Sequence, residues 1–142
     1  MAEISLRRAR TMIRKALEHA RGAEFKPMAV AVLDSGGNLI AFEREDGASP
    51  GRYEIARGKA YGAVMLGMPG SAQMARAEAQ AYFVACANGA LGGGMIPVPG
   101  GVLVKDSKGR TMGAVGVSGD ASENDAAAAK AGIEAAGLSA ED

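Results

Sequence analysis

The chain is 142 residues long, within the range of one domain and long enough to bury a core of its own. Sixteen Lys and Arg balance sixteen Asp and Glu, so no global field draws the chain onto nucleic acid or an anionic membrane. A single cysteine, Cys86, excludes an internal disulfide, a Cys/His zinc cluster and haem attachment through CxxCH, and a reducing cytoplasm is the expected compartment.

The opening segment MAEISLRRARTMIRKALEHA breaks its apolar residues with charges too often for a secretory signal, and no apolar run approaches the roughly 20 residues that a membrane-spanning helix needs. Between Ser5 and Arg21, Leu6, Ala9, Ile13, Ala16, Leu17 and Ala20 fall at helical spacing, with Arg7, Arg8, Arg10, Arg14 and Lys15 on the other face. This spacing predicts an amphipathic helix. The runs MAVAVLD and NLIAFER flank Ser35, Gly36 and Gly37 and predict two strands joined by a tight turn. After the polar segment EDGASPGR, the stretches Tyr53 to Met68 and Ser71 to Asn88 predict two helices divided by Pro69 and Gly70. MIPVPGGVLVKD and RTMGAVGVS predict two more strands around Ser107, Lys108 and Gly109. A last helix runs from Ser122 to about Ala136 and stops at Gly137.

The order α-β-β-α-α-β-β-α has no crossover helix between consecutive parallel strands. An antiparallel sheet of about five strands flanked by helices, an α/β (α+β) fold in one domain over residues 1–142, is therefore the expectation. A core built from Ala, Val, Leu, Ile and Met without Trp leaves small-residue surface on the middle helices, which predicts a homo-oligomer.

Gly113, Gly116 and Gly119 follow neither the dinucleotide-binding nor the Walker spacing. The strand that ends at Ser118 and Gly119 does feed a helix start, where backbone amides attract an anion; the glycines serve either that purpose or close packing. Asp125 stands three residues after Ser122, at the spacing of a capping box, and is either a cap or a general base facing the same mouth. His19 is the only histidine, hence the most direct iron ligand the chain could offer, on a face where a solvated side chain is the ordinary expectation.

The blocks AVLDSGGNLIAFEREDGA (31–48), ARGKAYGAV (56–64), PVPGGVLVKD (97–106) and GAVGVSGDASENDAAAAKAGIEA (113–135) resemble, in order and spacing, the GlcG/HbpS family, also seen as the C-terminal domain of PduO-type proteins. The resemblance implies a profilin-like sandwich, homo-oligomers and, for some members, binding or degradation of haem. It also directs attention to Arg44 and Asp46 at the end of the second strand, Lys59 in the GKA segment, and the loop Pro99, Gly100, Gly101. Arg44 can hold a carboxylate bidentately and Lys59 can act as a point charge or acid/base group, or else Arg44 pairs with Asp46 while Lys59 extends to solvent. Two functions follow: a small-molecule binder with haem or a related tetrapyrrole as ligand, or a cofactor-independent isomerase or lyase in which Arg44 and Lys59 grip a small acid and Asp125 moves the proton.

Overall fold

The computed structural model describes residues 3–142. Helix α1 (Leu6–Gly22) leads into the hairpin β1 (Ala29–Asp34) and β2 (Leu39–Arg44), then α2 (Arg52–Leu66), α3 (Gly70–Ala79) and α4 (Ala81–Ala90). Strands β3 (Gly101–Lys105) and β4 (Thr111–Ser118), helix α5 (Ser122–Ala135) and the short β5 (Ser139–Glu141) complete the chain. The five strands form one antiparallel sheet in the order β2-β1-β4-β3-β5. The mixed α/β architecture and the order of the elements are as the sequence predicts, with β5 as the fifth strand.

The alternation of side chains along the strands makes the two faces of the sheet unlike. Val30, Val32, Val102, Val104, Val115 and Val117 face α1 and α5 and pack with Met12, Ile13, Ala16, Ala129 and Ile133. The other face presents Ala29, Ala31, Ala114 and Gly116, and α2 lies against it through Ala56, Ala60 and Ala63. Small residues on both sides bring α2 close to the strands: a methyl group at Gly116 would overlap the Ala56 carbonyl, and one at Gly101 the carbonyl of Lys59. The result is three layers, α1 and α5, the sheet, and α2.

The second middle helix is interrupted. Gln80 leaves helical geometry at φ −144°, ψ 70°, and divides the stretch into α3 and α4, although no Pro or Gly marks the break. The expected capping box is also arranged differently. Ser122 is the first helical residue and its side chain makes no hydrogen bond among the described residues; Asp120 takes the Ala121 amide on its Oδ1, and Asp125 reaches back to the Asp120 amide.

Candidate functional site

Lys59 lies on the face of α2 turned to the sheet, so its stem runs between small residues toward the end of β4. Its Nζ donates to Asp125 Oδ2 at 2.9 Å and to the Val117 carbonyl at 3.0 Å. Both partners are buried, Lys59 at 3% and Asp125 at 1% exposure, and the pair ties α2 on one face of the sheet to α5 on the other. Gly100 makes room for it, since a side chain there would press on Cδ and Nζ of Lys59. Burial pushes the Asp125 carboxyl above the usual range, against the opposing pull of the Lys59 charge and hydrogen bond. Asp125 Oδ1 meanwhile accepts the Asp120 amide at 2.9 Å. The two amides that lead into α5, those of Asp120 and Ala121, are thus taken by the chain's own carboxylates, Asp125 and Asp120.

The candidate residues fall into separate places. Lys59, Asp125, Gly100 and Gly101 come together in the buried cluster, while Pro99 packs beside Gly70 at the start of α3. Arg44 makes no ion pair with Asp46 among the described residues; its Nη1 donates to the Ala48 carbonyl at 2.8 Å. Arg44 and Asp46 line a cleft of about 430 Å³ with Arg21, Pro27 and Glu45, where Arg21 pairs with Glu45 at 3.1 Å. Ser118, fully buried, accepts from Arg52 Nη1 at 2.8 Å, and Gly119 lines a smaller cleft of about 200 Å³ beside Arg52. Arg52 opens α2, yet in the sequence it stands at the end of EDGASPGR, a segment that reads only as a polar connection.

The most spacious of these clefts, about 650 Å³, runs along the outer side of α1 and is lined by Arg10, Arg14, Leu17, Glu18, Arg21 and Glu43. Arg10, Arg14, Leu17 and Arg21 recur at helical spacing on one flank of the helix. Exposed His19 lies about 100° further round than Glu18 at the helical repeat, on the other flank, edge-on to Phe25 with ring centroids 5.9 Å apart.

The family model described as haem degrading protein, HbpS-like, matches residues 4–134. The chain belongs to the HbpS-like family. Among solved structures, a double mutant of Streptomyces reticuli HbpS is 30% identical and superposes with a TM-score of 0.79, with 94% of this chain and 87% of that one covered. Klebsiella pneumoniae protein ORFY is 25% identical, with a TM-score of 0.81 over 94% and 90% of the two chains. The complex of PduOC with haem shares the fold at 23% identity, with a TM-score of 0.86 and 99% coverage of each chain. No curated protein matches the chain. HbpS-like membership agrees with the resemblance carried by the four sequence blocks. No helix among the described residues is long and apolar enough to cross a membrane.

Proposed function

We propose that this protein is an oligomeric small-molecule binder of the HbpS type, and that its ligand is haem or a related tetrapyrrole held at the outer surface of α1. Membership of the HbpS-like family is the observation that carries the reading, with a haem complex among the proteins of the same fold as further support.

The residues of α1 fit one part of such a ligand and leave another unmet. Leu17 and the aliphatic stems of the arginines give the cleft an apolar side, and Arg10 and Arg14 could each meet a propionate, whereas Arg21 is engaged by Glu45 and the Lys26 carbonyl. The iron finds no imidazole, thiolate or phenolate there, only the carboxylates Glu18 and Glu43, because His19 is on the opposite flank of the helix and does not line the cleft. One subunit therefore fits the carboxylate edge of a macrocycle and not its metal. The alternative reading, an isomerase or lyase in which Arg44 and Lys59 grip a small acid and Asp125 moves the proton, is disfavoured by the burial and mutual bond of Lys59 and Asp125 and by the place of Arg44 in a separate cleft.

Arg10 and Arg14 make no side-chain bond among the described residues, so replacing them leaves the internal bonds of the fold intact. Titration with haem is expected to saturate. Arg10→Ala or Arg14→Ala removes one charge-assisted hydrogen bond to a propionate, on the order of 1.5–3 kcal/mol, and should weaken binding about tenfold or more. Iron-free protoporphyrin, followed by fluorescence, should lose affinity in the same variants. Failure of haem to saturate, or equal affinity in parent and variants, would refute the reading; an altered haem spectrum in His19→Ala would assign the iron to the other flank.

A further inference from the structure

Charge separates the three clefts. The α1 cleft sets three arginines against two glutamates, and the Arg44 cleft sets two arginines against Glu45 and Asp46. The third, bounded by Lys26, Pro27, the loop Gly47 to Ser49, Arg52 and Gly119, is lined by two cations and no carboxylate.

Arg52 is the organised part of it. Its Nε donates to Ser49 Oγ at 3.0 Å and its Nη1 to Ser118 Oγ at 2.8 Å, which fixes the guanidinium plane from two sides with neutral partners. Ser118 is fully buried, so this anchor belongs to the core. Arg52 and the Lys26 ammonium form no ion pair among the described residues, and the other guanidinium N–H groups of Arg52 have no partner there. Asp120, next to Gly119, does not line the cleft: its oxygens accept the amides of Lys26 and Ala121 and the side chain of Asn124, and the Lys26 charge acts on it from a distance without forming an ion pair. A guanidinium held flat, half-buried and without a counter-ion is preorganised for a planar or tetrahedral oxyanion. A space of about 200 Å³ is of a size to admit a small one.

We propose that this cleft is a binding site for a small oxyanion, a short-chain carboxylate or a phosphate, gripped by the Arg52 fork and closed by the Lys26 ammonium and the Ser49 hydroxyl. It is separate from the α1 cleft, and the two can fail independently.

The test is an amide NMR titration at fixed ionic strength with acetate, succinate and inorganic phosphate. Saturating shifts centred on Gly47, Ser49 and Gly119 are expected, and the ratio of carboxylate to phosphate affinity tells which oxyanion the cleft favours. Lys26→Glu reverses the charge of a side chain that makes no internal hydrogen bond and should weaken binding at least tenfold, with an amide spectrum that is still that of the folded chain. Arg52→Lys keeps the charge and loses the fork, and should also weaken it several-fold. Arg10→Ala should leave oxyanion binding as in the parent. Shifts that do not saturate, or affinity unchanged by both Lys26→Glu and Arg52→Lys, would overturn the proposal.

Discussion

Lys59 and Asp125 are 66 positions apart, and nothing in their local sequence pairs them. The spacing of Asp125 from Ser122 suggests a cap, and the GKA segment suggests a charge free to act; burial makes them partners instead. Removing one member of such a pair strands the other without compensation. Lys59→Met is accordingly expected to cost about 3–5 kcal/mol in denaturant unfolding, and the double variant Lys59→Met, Asp125→Leu should recover much of that loss. A single variant as stable as the parent would show that the pair contributes nothing. Asp120 and Asp125 shift in opposite directions although they are five residues apart. Backbone donation from Lys26, with help from Asn124 and the Ala121 amide, holds the Asp120 carboxyl down at about 2. A lowered folded-state value means stability that is present above the ordinary carboxylate range and is lost as pH falls through about 2. Asp125, shifted upward by burial, contributes with the other sign and loses stability as pH rises through its raised value. Melting temperatures of Asp120→Asn should therefore fall less steeply on acidification than those of the parent, and parallel curves would remove Asp120 from the acid limb.

At the scale of elements, periodicity is the readable signal. The α1 pattern puts Ala9, Ile13, Ala16 and Ala20 on the buried face, where they are, while Leu6 and part of Leu17 remain exposed because the helix touches the sheet over a narrower arc. The hairpin is legible from Gly36 and Gly37, and the end of α5 from Gly137. The break at Gln80 is not, since Ala, Gln and Tyr continue a helix as readily as they end one; nor is β5, three residues that become a strand only because β3 offers an open edge. The glycines of β4 are readable as small residues without a stated partner, and the structure supplies it in α2. Gly116→Ala should drive the Ala56 carbonyl away from the sheet and destabilise the protein by about 1–3 kcal/mol or more, measured by chemical denaturation. The same change at Gly51, where a methyl meets nothing within 4 Å, is the control.

For the whole molecule, α4 is the anomaly. It carries no charged residue, packs mainly on α3, and leaves Ala81, Tyr82, Ala85, Cys86, Gly89 and Ala90 exposed, with Tyr82 at 67%. Such a surface is costly to leave in water and suits association between copies. Light scattering is expected to give a multiple of 14.3 kDa, and Ala85→Glu should lower it; a monomeric mass at micromolar concentration would count against assembly. The far edge of the sheet carries a different liability. β5 covers β3 with three residues and one ion pair, Lys105 to Glu141 at 3.2 Å, and behind it stand Val102, Leu103 and Val104, all fully buried. A cut before Ser139 would bare a hydrophobic strand edge, the kind that recruits neighbouring chains into aggregates, so the pairing of β5 with β3 shields the sheet against edge-to-edge association.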